Sequence, residues 1–250
     1  MSSPVARAFA AAADYDQHAN VQRLAARALA RRIAALDLPA NPRVLEIGCG
    51  TGFLGEALRE QGLAGDWLVT DVAPAMVERA RARLGPGPRY GVLDGEHGTP
   101  DGGPFDLVCS TLATQWFAEE PAALARWCDW LAPGGHVMVA TLGPGTFAEW
   151  RAAHAAQGLR AGTPDFTLPS AFAALNLAEP LTIEPYRERH ADARAFLQSL
   201  RAIGAHVAAP GHRPLSPADL RRVMRHFEAS GAVATYEVVT CHLTRANQTP

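Results

Sequence analysis

Residues 43–52 read Arg-Val-Leu-Glu-Ile-Gly-Cys-Gly-Thr-Gly, a short apolar strand followed by glycine at every second position. Glycines at 48, 50 and 52 allow a sharp turn from a strand into a helix, and they let backbone N–H groups approach a ligand closely. The G-x-G-x-G spacing differs from the G-x-G-x-x-G of dinucleotide-binding proteins. This stretch therefore predicts a ligand-binding strand–loop–helix unit and speaks against a nicotinamide dehydrogenase.

Strands and helices alternate outward from this loop. The strands are predicted at 43–47, 67–71, 89–93, 105–110 and 136–141, and the helices at 53–61, 74–84 and 121–131. Beyond Thr141 we expect a helix at 147–157, strands at 180–189 and 235–244, and amphipathic helices at 192–203 and 217–230. Short apolar strands separated by helices indicate a parallel sheet covered on both faces. The predicted fold class is α/β, with seven mostly parallel strands in a Rossmann-like sheet.

The chain has 250 residues, which is long for one ordinary domain and short for two well-formed ones. We therefore predict a single domain, residues 1–250, that contains an insertion. An N-terminal helical cap is predicted over 1–38, with Asp16 as the N-cap of its helix. The sheet core is predicted over 43–141. Helices at 190–231, inserted before the last strand, are predicted to form a lid over the sheet.

Composition and charge exclude several classes of protein. Hydrophobic residues make up 48% and charged residues 19%, which is typical of a globular chain, and the net charge of -2 gives no reason to expect nucleic acid or an anionic membrane as a partner. No apolar window approaches the roughly 18 residues of a membrane span, and residues 1–13 lack the layout of a signal peptide. The four cysteines are far apart and the nine histidines show no metal spacing. A reduced, cytoplasmic protein without a metal is the prediction.

Carboxylates follow two of the predicted strands. Asp71 ends the second strand about 20 residues after the loop, where an acidic side chain can accept hydrogen bonds from both hydroxyls of a ribose. Asp94 follows the third strand. Ligands of open α/β sheets lie beyond the carboxyl ends of the strands, so Gly48, Asp71 and Asp94 are expected to converge there.

The segment Leu45-Glu-Ile-Gly-Cys-Gly-Thr-Gly52, together with Asp71, Asp94 and the Pro133-Gly-Gly135 turn, resembles the class I S-adenosylmethionine-dependent methyltransferases. The resemblance covers residues 43–141. It implies that the chain binds S-adenosyl-L-methionine (SAM) and releases S-adenosyl-L-homocysteine. The residues it implies for the cofactor are Glu46, Gly48, Cys49, Gly50, Asp71, Val72, Asp94, Gly95 and Ser110. A non-catalytic SAM-binding module is a remaining alternative.

Three further segments resemble the malonyl-acyl-carrier-protein O-methyltransferases of biotin synthesis. They are Phe9 and Ala12 with Tyr15-Asp-Gln-His18, then Ser110-Thr-Leu-Ala-Thr-Gln-Trp116, and Ser199-Leu-Arg-Ala-Ile-Gly-Ala205. In that family the third segment usually carries Lys where Arg201 stands. The resemblance implies methylation of the free carboxylate of a malonyl thioester, on acyl-carrier protein or coenzyme A, to an ester that primes pimeloyl synthesis. The alternative is another small acid, such as a trans-aconitate-like polycarboxylate.

An ionised carboxylate can attack a sulfonium methyl directly, so this reaction needs positioning and no general base. Tyr15, Gln115 and Arg201 are predicted as catalytic residues, with Arg201 gripping the carboxylate bidentately. Tyr15, His18, Trp116 and Arg201 are predicted to bind the substrate. Two interpretations stay open for several of them: Arg201 as a solvated helix residue, and Tyr15 and Trp116 as packing residues.

The partner implied by the resemblance is an acyl-carrier protein that carries malonyl-phosphopantetheine. Arg221, Arg222 and Arg225 form a basic helix face on which an acidic carrier could dock. The same pattern is also typical of a solvated helix face.

Overall fold

The computed structural model describes residues 7–9, 15–209 and 211–245. The chain forms two compact units that are interleaved along the sequence. The sheet unit comprises Gln22–Thr141, Thr167–Ile183 and Val239–Pro250, and the helical unit comprises Met1–Val21, Leu142–Phe166 and Glu184–Val238. The single domain, the cap over 1–38, the core over 43–141 and the lid over 190–231 stay predictions. Ala12, with the rest of residues 1–6 and 10–14, lies outside the described residues.

Seven strands form one sheet in the order β3-β2-β1-β4-β5-β7-β6. Their bounds are β1 Arg43–Ile47, β2 Asp66–Asp71, β3 Arg89–Val92, β4 Phe105–Thr111, β5 Leu131–Leu142, β6 Thr182–Arg189 and β7 Val233–Thr244. The pairs β1–β2, β2–β3, β1–β4 and β4–β5 are parallel. The predicted α/β fold class, with a mostly parallel Rossmann-like sheet, is confirmed.

Helices connect and flank these strands. Their bounds are α1 Tyr15–His18, α2 Asn20–Ile33, α3 Phe53–Glu60, α4 Pro74–Leu84, α5 Glu120–Cys128, α6 Ala148–Ala155, α7 Ala193–Ala202 and α8 Pro217–Ala229. Short 3₁₀ turns cover Thr114–Trp116 and Pro169–Phe172. Pro74 begins α4, since its missing N–H is not needed in a first turn, and Gly85 in the left-handed region (φ +66°) ends it.

The structure differs from the prediction at the first long helix. Asp16 does not cap one continuous helix, because α1 ends at His18 and α2 begins at Asn20.

A second difference lies at the start of β5. The helix predicted to reach residue 131 ends at Cys128, and Leu131 already pairs with Phe105. The predicted turn Pro133-Gly-Gly135 is instead an irregularity inside the strand, because the next pair is Leu107 with His136. A Cβ on Gly135 would lie 2.8 Å from the carbonyl oxygen of Phe105, so glycine permits this close approach.

A large hydrophobic cluster of the sheet unit lies against one face of its strands. Val108, Val137 and Val139 from β4 and β5 pack with Leu124 and Trp127 of α5, and all are buried. Burying such side chains contributes roughly 1.5–3 kcal/mol each, which fixes α5 against the sheet.

The helical unit has an aromatic core of its own. The ring of Phe147 lies 5.5 Å from that of Phe196 and 4.9 Å from that of Tyr236, while Trp150 lies 5.4 Å from both Phe196 and Phe227. Most of these contacts are edge-on, the arrangement that the ring quadrupoles favour. None of the helices in the described part of the chain has the length and hydropathy that crossing a membrane requires.

Candidate active site

The glycine loop after β1 requires glycine for two separate reasons. Gly48, Gly50 and Gly52 have φ values of +68°, +54° and +93°, in the left-handed region that side chains disfavour. A Cβ on Gly48 would also lie 2.3 Å from the Cβ of Ala113, far inside van der Waals contact. The loop is therefore held close to the segment that follows β4.

Asp71 at the end of β2 holds this loop in place. Its Oδ2 accepts the Gly50 N–H at 3.0 Å, and its Oδ1 accepts the Ala73 N–H at 2.8 Å. Burial raises the pKa of Asp71, and the N–H groups of Ala73, Gly50 and Val72 oppose this rise. Carboxylate oxygens accept more than one hydrogen bond each, so Asp71 keeps capacity for two ligand hydroxyls.

Glu46 on β1 is a buried acid. It is 2% exposed, and burial and the nearby charge of Asp71 raise its pKa to about 8. Its Oε2 has no hydrogen-bond partner among the described residues and lies where a Cβ on Gly55 of α3 would be 3.1 Å away. A buried acid without a cation is a site that a positively charged ligand would stabilise.

We expect Glu46 to make the protein less stable as pH rises. Its folded pKa of about 8 lies above its ordinary value of 4.5, so the folded state binds more protons between these values. The free energy of unfolding therefore falls from about pH 4.5 to pH 8, by a few kcal/mol in order of magnitude. Glu46→Gln should remove this slope, so thermal melts without ligand at pH 5.5 and 8.5 should differ less for the variant than for the wild type. Equal slopes would contradict a buried, protonated Glu46.

Cys49 is placed in the loop as a small buried side chain. It is 6% exposed, and burial, followed by the charges of Glu46 and Asp71, raises the pKa of its thiol well above the usual range. A protonated thiol is a poor nucleophile, so Cys49 contributes packing and backbone to the site. All four cysteines are free.

Exposed apolar side chains lie at the ends of β2 and β3. Val72 is 43% and Val92 60% exposed, and Val92 is the register partner of Asp71. Two exposed valines beside a ribose-type acceptor form a surface on which a planar base can pack. Val92 was not predicted, because a valine in a strand normally indicates burial.

Asp94 and Gly95 follow β3 with different roles. Asp94 is exposed, and its Oδ1 accepts the N–H groups of Glu96 at 2.9 Å and His97 at 3.2 Å. Gly95 is buried, its carbonyl accepts the indole N–H of Trp127 at 2.9 Å, and a Cβ there would lie 2.4 Å from Cγ2 of Ile47. Gly95 therefore fixes the backbone of this turn, and the cofactor role of Asp94 stays a prediction.

Buried polar atoms without a hydrogen-bond partner are concentrated at the carboxyl ends of β1, β4 and β5. In the described residues of the sheet unit they include Glu46 Oε2, Thr51 Oγ1, Ser110 Oγ, Thr111 Oγ1, Thr114 Oγ1, Gln115 Oε1 and Thr141 Oγ1, and on α5 also Glu120 Oε1, Glu120 Oε2 and Arg126 Nε. Buried polar groups are paired in more than about nine cases in ten, so this concentration indicates a place for a polar ligand or water. Sequence reasoning included Glu46, Ser110 and Gln115 and missed the threonines.

The predicted substrate residues are divided between the units. Gln115 and Trp116 belong to the sheet unit, and the Gln115 Nε2 donates to the Leu112 carbonyl at 2.8 Å. Tyr15, His18 and Arg201 belong to the helical unit. Their roles stay predictions.

Within the helical unit, α1 contacts α7, so the helices of Tyr15 and Arg201 are neighbours. Tyr15 is buried, with its ring 6.4 Å from that of Phe9, while His18 and Arg201 are exposed. The structure gives the Arg201 guanidinium no ion pair with any described residue.

The basic face predicted on α8 is exposed at Arg221, Arg222 and Arg225. Arg222 pairs with Asp219 one turn earlier on the same helix. The part of the chain that the structure describes contains no group of three or more His, Cys, Asp or Glu side chains arranged to hold a metal ion.

Comparison with known proteins identifies the family to which the chain is similar. A family profile described as a methyltransferase domain matches residues 44–135. Among solved structures, a putative methyltransferase from Bacillus halodurans superposes with a TM-score of 0.59 at 13% identity, covering 88% of this chain and 98% of that one. The fold is thus that of a class I methyltransferase.

Two curated relatives narrow the class. The chain is 40% identical to a malonyl-[acyl-carrier protein] O-methyltransferase from Magnetococcus marinus, over 97% of this chain and 92% of the relative. It is 48% identical to the biotin biosynthesis bifunctional protein BioCD of Bordetella avium, over 93% of this chain and 50% of that protein's length. The chain belongs to the malonyl-[acyl-carrier protein] O-methyltransferase family.

Proposed function

We propose that the chain transfers a methyl group from SAM to the free carboxylate of malonyl-acyl-carrier protein, which yields the malonyl methyl ester that primes pimeloyl synthesis for biotin. The observation that carries the proposal is the 40% identity to a relative of that name over nearly the full length of both chains. The chain spans half the length of the bifunctional relative, and nothing beyond the methyl transfer is carried over from it.

The carboxyl edge of the sheet unit fits SAM. Asp71 offers acceptors for the ribose hydroxyls, and Val72 with Val92 offers a surface for the adenine. The buried carboxyl of Glu46 favours a ligand with positive charge, and SAM carries a sulfonium and an ammonium group. When bound, SAM supplies an electrophilic methyl group.

Asp71→Ala should weaken SAM binding by roughly 1–3 kcal/mol, since charge-assisted hydrogen bonds to the ribose hydroxyls are lost. The same change also removes the acceptor for the Gly50 N–H, so the glycine loop loses the hydrogen bond that holds it to the end of β2. Asp71→Asn keeps the shape and one acceptor oxygen and should be milder. Calorimetric titration with SAM measures both variants, and wild-type affinity in Asp71→Ala would contradict the assignment.

The chain's remaining task is to position a nucleophile that is already ionised. A malonyl carboxylate needs no proton removed near neutral pH, so the protein needs an orienting cation and a dry approach to the methyl group. Arg201 is proposed as that cation, because its guanidinium has five donors and no ion pair in the described structure. Tyr15 and Gln115 are proposed to add hydrogen bonds, and His18 and Trp116 to contact the acyl arm.

The carrier is part of the proposal. An acidic acyl-carrier protein would be attracted to the exposed arginines of α8, which would raise its association rate at low salt. A cytoplasmic location, suggested by cysteines that are free of disulfides, stays a prediction as well.

Incubation with methyl-labelled SAM tests the function. Malonyl-acyl-carrier protein, malonyl-coenzyme A, malonate and trans-aconitate are offered in parallel at equal concentration. We expect the highest kcat/KM with the carrier protein and a product that releases methanol on alkaline hydrolysis. Preference for trans-aconitate would favour the alternative acid, and SAM affinity without turnover on any acid would favour a non-catalytic module.

A further inference from the structure

We propose that the hydroxyl of Thr141, near the end of β5, hydrogen-bonds the acyl substrate and belongs to the acceptor half of the site. The inference rests on the proposed carboxyl methylation and adds a binding residue to it. Thr141 is fully buried, and its Oγ1 finds no partner among the described residues.

The sheet register places Thr141 beside the candidate site. Ser110 pairs with Val139, and side chains alternate along a strand, so Ser110 and Thr141 lie on the same face of neighbouring strands. The Oγ of Ser110 lies 3.9 Å from the position of a Cβ on Gly48, next to the glycine loop. Thr141 is therefore one strand further from the loop than Ser110.

The segment after β4 links Gln115 to Ala140, the residue that precedes Thr141. The Leu112 N–H donates to the carbonyl of Ala140 at 2.7 Å, and the Leu112 carbonyl accepts the Gln115 amide at 2.8 Å. Leu112 adopts φ +50°, which is uncommon for a non-glycine residue. This backbone conformation is thus held beside the end of β5, with the Oε1 of Gln115 also left without a partner.

Strand order assigns Thr141 to the acceptor and not to the cofactor. The carboxylates proposed for the cofactor, Asp71 and Asp94, lie at the ends of β2 and β3, and the glycine loop follows β1. Strands in a sheet lie about 4.8 Å apart, so β5 is about 10 Å from β1 across β4. In-line transfer requires the nucleophile on the side of the methyl group opposite the leaving sulfur; with the ribose at Asp71, as proposed, the acceptor would approach from the side of β4 and β5.

The effect of a substitution on thermal stability distinguishes a hydroxyl that binds a ligand from one that only packs in the core. A buried hydroxyl without a partner destabilises the unliganded protein, and an isosteric valine removes that penalty. Thr141→Val should therefore melt no lower than the wild type while binding the substrate less well. If Thr141 only packed in the core, Thr141→Val would not combine an unchanged melting temperature with weaker substrate binding.

The test is a steady-state comparison of Thr141→Val, Thr141→Ala and Thr141→Ser with malonyl-acyl-carrier protein. We expect Val and Ala to raise KM by about tenfold, near the value of one hydrogen bond to a charged acceptor, with the calorimetric Kd for SAM unchanged. Serine keeps the hydroxyl and should retain most of the affinity. Thr240→Val is the matched control. Thr240 is also a buried threonine, but its neighbours Val239 and Cys241 face the core cluster, so the Thr240 side chain lies on the opposite face of the sheet. This variant should leave KM unchanged.

An unchanged KM in folded Thr141→Val and Thr141→Ala would overturn the inference, as would a weaker SAM affinity with normal KM. If Thr141→Val does not fold, the KM values of Thr141→Ala and Thr141→Ser are compared, and equal values would overturn the inference. Failure of the wild type to methylate any malonyl thioester would instead overturn the proposed function, so the two failures are distinguishable.

Discussion

Gly48→Ala is expected to abolish SAM binding, with an affinity loss of more than about 100-fold. The alanine Cβ would lie 2.3 Å from the Cβ of Ala113, and the φ of +68° adds about 1–2 kcal/mol of strain. Neither side can yield cheaply, because Ala113 belongs to the segment held to β5 by Leu112 and the loop is held to Asp71 by Gly50. Titration of the folded variant with SAM, checked by circular dichroism, measures the effect.

Gly62→Ala provides the control for backbone strain alone. Gly62 also has a positive φ, +81°, but a Cβ there meets no atom within 4 Å. The control should lose stability by about 1 kcal/mol and bind SAM normally. A Gly48→Ala variant that binds SAM as well as Gly62→Ala would show that the loop does not contact the cofactor.

Arg201→Ala is expected to lower kcat/KM for the malonyl substrate by about 2–4 kcal/mol, the cost of breaking a charge pair that leaves water on binding. SAM affinity should be almost unchanged, since no proposed cofactor residue lies in the helical unit. Arg201→Lys should recover part of the activity, because a point charge still attracts the acid while the bidentate geometry is lost. The malonyl methyl ester should bind poorly to the wild type for the same reason.

Arg194→Ala is the matched control on the same helix. Arg194 and Arg201 are both exposed and seven residues apart, so they project from a similar side of α7. Removing Arg194 tests the general positive charge of the helix. Equal losses of kcat/KM in both variants would indicate long-range attraction of the carrier protein. Normal kinetics in Arg201→Ala would show that other residues bind the carboxylate, with Tyr15 and Gln115 as the next candidates.

The parts of the site that were predictable depend on local chemistry. Gly48, Gly50 and Gly52 adopt positive φ values because a sharp strand-to-helix turn requires them, and that requirement is visible in the sequence alone. Asp71 was placed by its distance along a βαβ unit, and the structure puts its carboxylate on the loop as this geometry requires.

The parts that were not predictable depend on neighbours distant in sequence. Thr141 looks like any threonine in an apolar strand, and only the packed sheet shows that its hydroxyl is buried without a partner. The early start of β5 at Leu131 was missed because Pro133 and the two glycines resemble a turn, whereas the close approach to Phe105 keeps them within the strand.

The division of residues between the two units has an evolutionary consequence. Every residue proposed for SAM lies in the sheet unit, whereas Tyr15, His18 and Arg201 lie in the helical unit, which is built from three separate segments of the chain. If these roles hold, mutations in the helical unit should change substrate recognition while leaving SAM affinity unchanged. Chimaeras that exchange residues 190–231, which include Arg201, with a methyltransferase of different specificity should therefore shift the acid preference towards that of the donor and keep the recipient's affinity for SAM.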